Sequence, residues 1–183
     1  QTTLGYAEDS ASSSRKPILF YYFDSECIGC QQMDAVTYAS EEVVSFVKEY
    51  LIPLRVDVNM KASSYDRYSA IWTPTFLVLD YQGHEIQRTV GFLEPEKFIA
   101  FMHLGIAKVH CTIREFDAAS VHFKRLLEEY PESSCVPEAI YFNGINLYKQ
   151  KDEPTELKMV YEKLRNDYPG NSWTKRSSPY RLL

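Results

Sequence analysis

Cys27 and Cys30, three residues apart, are the side chains of this chain best suited to chemistry. On a helix such positions share one face with Cα atoms about 5 to 6 Å apart, inside the range a disulfide accepts. The pair can therefore bridge without rearrangement. If the helix starts at Cys27, that sulfur sits among unpaired backbone N–H groups at the positive end of the helix dipole, which favours the thiolate. Cys27 is the expected attacking sulfur. Cys30, one turn further in, is better shielded and suited to resolve a mixed disulfide between Cys27 and a partner. Ile28 and Gly29 between them help to set the redox poise. The expected cofactor is the redox-active Cys27–Cys30 disulfide itself, with no other group. Cys111 and Cys135 have neither a second Cys-x-x-Cys spacing nor a His array beside them, so no metal site is assigned. His84, His103, His110 and His122 are scattered, and without a Ser or Cys partner in a recognisable motif they read as surface or packing residues.

The elements that must hold this pair can be read around it. Residues 18–23 (Ile-Leu-Phe-Tyr-Tyr-Phe) are apolar or aromatic without alternation, as in a central strand buried on both faces. A helix over roughly 27–37 follows and breaks near Ala39, and Ser40 with Glu41 and Glu42 caps a second helix carrying Val43, Val47, Tyr50 and Leu51. Residues 52–58 alternate as a second strand, and a short helix is expected around 61–70. Thr73-Pro74-Thr75 leads into Phe76 to Leu79; Asp80-Tyr81-Gln82-Gly83 turns the chain into Glu85 to Val90 as a hairpin. Pro95 then opens a helix with Phe98, Ile99, Phe101 and Met102 expected to face the sheet.

This order of strand, helix, strand, helix, hairpin, helix, together with Cys27-Ile-Gly-Cys30, Arg55-Val-Asp-Val, Thr73-Pro74-Thr75-Phe76 and Val90-Gly91-Phe92, resembles the thioredoxin-like superfamily over residues 16–108. The resemblance implies that the Thr73–Pro74 bond is cis and faces the cysteine pair, making Thr73 and Pro74 a backbone clamp for an extended substrate. Two departures from ordinary thioredoxins bear on tuning. Glu26 stands where the family usually has Trp, and its carboxylate would oppose thiolate formation at Cys27. Tyr21 stands where thioredoxins bury a carboxylate behind the pair. The Ser25-Glu26-Cys27 start, with Met33 after the pair, resembles a divergent bacterial branch often fused to tetratricopeptide-like helices.

Past residue 110 the pattern turns wholly helical. Phe123 to Pro131 and Tyr161 to Pro169 look alike at an offset of 38 residues. Ala119, Phe123 and Pro131 fit the spacing of a tetratricopeptide repeat, with Leu157, Tyr161 and Pro169 in the second copy and Tyr141 and Tyr148 at its earlier aromatic places. A generic helical bundle is the alternative. The tail from Asn171 to Leu183 reads as a polar cap with Trp173 docked inward. The fold class expected is α/β: a thioredoxin-like domain over 1–108, its first 15 residues flexible or a short docked helix, then a tetratricopeptide-like all-α domain over 109–183.

Composition narrows the function classes. The 183 residues carry 20 basic and 25 acidic side chains, a net charge of −5, which offers a polyanion no general attraction. Nucleic acid is not an expected partner. The six-residue run Ile18–Phe23 is far short of the roughly 20 apolar residues a membrane-spanning helix needs. The start at Gln1, with no charged-then-apolar leader, suggests a trimmed or processed N-terminus. The expectation that follows is a thiol-disulfide oxidoreductase acting on a protein substrate or redox partner, the helical domain docking a protein. The rival is a non-catalytic adaptor built from the same two domains. Cys111 and Cys135, expected near opposite ends of one helical hairpin as free thiols, favour the cytoplasm over the periplasm.

Overall fold

The computed structural model describes residues 3–59 and 66–183. The chain packs as two compact units, 1–99 and 100–183. Their division falls inside a helix, as does the boundary expected at 108/109, so neither lies in a linker.

In the first unit, α1 (Leu4–Ser14) starts where the Thr3 side chain accepts a hydrogen bond from the Tyr6 N–H and stops at Arg15, whose φ of 54° is left-handed. So short a helix is marginal in water alone. It docks through Leu4, Ala7 and Ala11, all buried against Ile18, Phe20, Leu54, Val56, Leu77 and Leu79. Burying one leucine contributes about 2 kcal/mol toward holding it there. The sheet consists of β1 (Ile18–Phe23), β2 (Ile52–Asp57), β3 (Thr75–Leu79) and β4 (Glu85–Val90) in the order β2-β1-β3-β4. β1 runs parallel to β2 and antiparallel to β3, and β4 closes the hairpin with β3. Because β1 and β3 are central, both of their faces are covered: Ile18 to Tyr21 and all of Thr75–Leu79 are buried. The hairpin turn is made by Asp80, whose Oδ1 accepts from the N–H groups of Gln82 and His84, and by Gly83 at φ 77°.

Between β1 and β2 lie α2 (Ile28–Gln32), one turn of π-helix (Met33–Thr37) and α3 (Glu41–Tyr50). The helix expected over 27–37 is thus regular only to Gln32. The wider turn after it is the kind of irregularity that gathers at functional sites. Ser40 caps α3 by accepting from the Val43 N–H, with Glu41 and Glu42 in the first turn. The short helix expected at 61–70 lies largely outside the described residues. α4 (Pro95–Thr112) closes the first unit with Phe98, whose ring meets Phe76 edge-on at 5.8 Å.

The second unit holds the rest of α4, then α5 (Phe116–Glu129), α6 (Val136–Lys151), α7 (Thr155–Asp167), α8 (Ser172–Ser177) and a closing 3-10 turn (Ser178–Leu182). Its core joins Leu104, Ala107, Ala119, Phe123, Leu126, Ala139, Ile140, Val160 and Leu164. α6 and α7 approach so closely at Gly144 that a Cβ there would fall 1.8 Å from Val160 Cγ2. The 38-residue offset is visible in local geometry. Leu126 and Leu164 are both fully buried, and each carbonyl accepts from the tyrosine N–H four residues on, Tyr130 and Tyr168. Those tyrosine carbonyls in turn accept from Ser133 and Asn171, both at 3.0 Å. Trp173 is half-buried against Tyr141 and Phe142, at 5.1 and 5.4 Å. Cys111 lies within the last turn of α4, ahead of α5, and Cys135 caps the start of α6. Among the described residues no helix is long and apolar enough to cross a membrane.

Candidate active site at the cysteine pair

The site is built where β1 ends. Asp24 makes the turn: its Oδ1 accepts from the Glu26 N–H at 2.9 Å and its carbonyl accepts from the Cys27 N–H at 3.2 Å. Cys27 then occupies the N-cap of α2 in extended conformation, and its carbonyl accepts from the Gln31 N–H. Its sulfur therefore faces the free N–H groups of the first helical turn. Across from it, 46 residues away in sequence, the Thr73 carbonyl accepts from the Cys27 thiol at 3.3 Å. The Thr73–Pro74 peptide is cis.

The two thiols sit in opposite environments. The Cys27 thiol is held below its ordinary pKa, first by a hydrogen bond from the Thr73 side chain; partial burial opposes this, and the backbone N–H groups of Cys30 and Gly29 add to it. Cys30 is only 1% exposed. Burial pushes its thiol up, partly offset by Asp24 backbone hydrogen bonding and by the Tyr21 hydroxyl. The two sulfurs thus differ in direction, Cys27 toward the thiolate and Cys30 toward the neutral thiol.

Gly29 has a steric role that its sequence position did not announce. A Cβ there would lie 2.9 Å from Pro74 Cδ and 3.9 Å from Cys27 Sγ, so only glycine lets the α2 turn approach Pro74 this closely. Ile28 projects outward, 80% exposed. Glu26 is exposed as well and is not among the largest influences on Cys27. Tyr21 is buried behind the pair, its ring stacked on Phe76 at 4.9 Å and lying under the Arg55 guanidinium at 5.3 Å. Arg55 is itself fixed by two hydrogen bonds to Asp34 at 3.0 and 2.8 Å.

Sequence reasoning missed Ile71 and Trp72, 78% and 71% exposed, which precede Thr73 directly. A bulky aromatic left on the surface beside Thr-Pro is the signal that would have found them. It also missed how Met33 anchors the loop after β4: its sulfur accepts from the Leu93 N–H at 3.4 Å, while the Thr37 hydroxyl donates to the Leu93 carbonyl. Among the described residues no group of three or more His, Cys, Asp or Glu side chains is placed to hold a metal ion. Cys111 and Cys135 lie elsewhere, half-buried against the core of the second unit. The Cys111 thiol donates to Asn146 Oδ1 at 3.4 Å and is pushed up to about 11 by burial; Cys135 is also raised by burial.

Comparison with known proteins agrees with this architecture. Among solved structures, a thioredoxin from Thermus thermophilus superposes with a TM-score of 0.52 at 20% identity, covering 60% of this chain and 88% of that one. A DsbH oxidoreductase superposes with a TM-score of 0.51 at 17% identity, covering 57% and 81% respectively. At these identities the likeness concerns the fold. No curated protein matches the sequence. Residues 4–105, more than half of the chain, match the family described as the thioredoxin-like domain. With the four-stranded sheet, the cysteine pair at the start of α2 and Pro74 opposite it, the chain belongs to the thioredoxin-like domain family.

Proposed function

We propose that the protein is a thiol-disulfide oxidoreductase that exchanges the Cys27–Cys30 dithiol and disulfide with protein substrates. The observation that carries this reading is the split between the two sulfurs: Cys27 at a helix N-terminus with its pKa lowered, and Cys30 buried with its pKa raised. Family membership and the likeness to a thioredoxin and a Dsb-type oxidoreductase support it. In the reducing direction the Cys27 thiolate attacks one sulfur of a partner disulfide, forming a mixed disulfide and expelling the other sulfur as a thiolate. Cys30 loses its proton to solvent and attacks Cys27 Sγ. The Cys27–Cys30 disulfide forms, and the partner leaves with two electrons. Oxidation of a partner runs the same steps backwards.

Thr73 and Pro74 clamp an extended partner beside Cys27, and Ile28 lies on the rim it must cross. Gly29 permits the close approach and Tyr21 tunes the pair, while the exposed Glu26 has at most a small effect. The helical unit docks a protein partner. It is repeat-like, and Val121 and Met159, equivalent at the 38-residue offset, are both exposed apolar residues on α5 and α7. Titration in glutathione buffers with thiol trapping tests the reading. A reversible two-electron couple that disappears in Cys27→Ser is expected; no couple at any buffer ratio would leave the adaptor reading in its place.

A further inference from the structure

Tyr21 stands on the central strand behind the cysteine pair with 3% of its surface exposed. Its hydroxyl is sealed from solvent and has no hydrogen-bond partner among the described residues. A buried hydroxyl left unpaired costs about 1 to 3 kcal/mol, a cost that phenylalanine in the same space would avoid. The ring cannot swing the hydroxyl elsewhere. It is stacked on Phe76 at 4.9 Å, tilted against Tyr38 at 5.4 Å and covered by Arg55 at 5.3 Å. A buried donor held without an acceptor asks for a state of the molecule in which the acceptor exists.

The titratable groups facing Tyr21 are Cys30 on α2, Asp34 on the π-turn, Tyr38 after it, and Arg55 on β2. Asp34 and Arg55 are about half exposed and satisfy each other through their paired hydrogen bonds. Cys30 is buried, and its sulfur is near enough for the hydroxyl and thiol to shift one another, although the neutral thiol makes no well-formed hydrogen bond with it. Chemistry explains that mismatch. A neutral thiol is a weak acceptor, whereas a thiolate takes a charge-assisted hydrogen bond about twice as strong.

We infer that the Tyr21 hydroxyl is the hydrogen-bond donor reserved for the Cys30 thiolate during resolution of the mixed disulfide. The inference rests on the exchange reading above and assigns a donor to its second step. Cys30 releases its proton to solvent; Tyr21 keeps its own proton and donates a hydrogen bond to the new thiolate. As Cys30 Sγ attacks Cys27 Sγ, the bond from Cys27 to the partner sulfur breaks and the electron pair leaves on that sulfur. The hydrogen bond is released when the charge leaves Cys30. Tyr21 thus supports the charged form of Cys30 without accepting its proton, which a carboxylate at this place could do.

The test is Tyr21→Phe in the full chain, which removes one oxygen and keeps the ring. In a Cys27→Ser background, Cys30 alkylation is followed against pH, with peptide mass spectrometry separating it from Cys111 and Cys135. We expect the Cys30 titration to move up by about one pH unit, an alkylation rate about tenfold lower at pH values below it. In the two-cysteine protein, release of glutathione from a Cys27 mixed disulfide should slow about tenfold near neutral pH and recover as pH rises, while the first attack by Cys27 is unchanged. A merely structural role would move both steps together and would not recover at high pH. An unchanged Cys30 titration with an unchanged release rate overturns the inference. Should the wild-type chain form no mixed disulfide at all, the exchange reading fails, and the Cys30 titration still decides the question about Tyr21.

Discussion

The helix start in the sheet unit and the interior of the helical unit treat the same cysteine side chain in opposite ways. In the sheet unit Cys27 caps a helix start, borrows hydrogen bonds from Thr73 and from backbone N–H groups, and is pulled toward the thiolate. In the helical unit Cys111 and Cys135 are packed among apolar side chains and are pushed toward the thiol. Residue type decides little here; what differs is the supply of donors to a developing negative charge. The same contrast holds for histidine. His103 and His122 are buried in the helical unit with Nδ1 atoms 2.8 Å apart, and burial holds them down to about 4 and about 3. His84, on the hairpin turn of the sheet unit, is exposed and pairs with Asp80.

Four outcomes would break or sharpen this comparison. The largest concerns the cysteines themselves. Cys27→Ser should abolish disulfide exchange and Cys30→Ser should accumulate mixed disulfides, whereas Cys111→Ser and Cys135→Ser should leave the rate unchanged. Turnover assays and intact-mass analysis of trapped species decide it, and fast alkylation of Cys111 at neutral pH would dissolve the contrast.

Acid should act on the helical unit next. In the unfolded chain both histidines take up protons near pH 6.5, while in the fold they stay neutral until about 4 and about 3. The unfolded state therefore binds more protons between those values, and stability falls as the pH drops below 6.5. Each histidine contributes a slope of up to about 1.4 kcal/mol per pH unit, and the loss levels off below their folded values. Urea denaturation followed by Trp173 fluorescence, with Trp72→Phe silencing the sheet unit, measures it. His103→Gln with His122→Leu should flatten the profile; an equally steep profile in that variant would place the acid sensitivity elsewhere.

Gly29→Ala separates steric control from stability. Alanine gains up to about 1 kcal/mol of helix propensity, but its Cβ must push Pro74 away from its 2.9 Å contact. The two effects offset in stability, which should stay within about 1 kcal/mol of wild type. Exchange should slow severalfold because Pro74 shifts relative to Cys27. Parallel denaturation and exchange kinetics check this, and an unaltered rate would show that the close approach is dispensable.

The smallest effect is expected at Glu26. Its exposed carboxylate is screened, so Glu26→Trp should lower the Cys27 titration by less than about half a pH unit. Thiolate absorbance against pH reads it directly. A shift of a full unit would mean that the carboxylate turns toward the sulfur.

The local elements of both units were legible because they depend on near neighbours. Ser40 three residues before Val43, Asp80 two and four residues before the N–H groups it accepts from, the unbroken apolar run of β1 and the Tyr-Pro ends of the repeat-like helices are interactions within a few residues, and a linear chain displays them. The closeness of Cys27 and Cys30 was legible for the same reason, since one helical turn joins them. What only the tertiary structure decided are meetings between distant segments. The resemblance set Thr73 and Pro74 opposite the pair, but that the Thr73 carbonyl takes the Cys27 thiol, that Gly29 is required by Pro74 and that Tyr21 is left without a partner by the packing of Phe76, Tyr38 and Arg55 came only with the fold. The π-turn at Met33–Thr37 belongs to the same class: its Met33 and Thr37 side chains are claimed by Leu93, some 60 residues later, and no local propensity encodes that. Burial and donor supply, which set the charge each sulfur prefers, are sums over such distant neighbours.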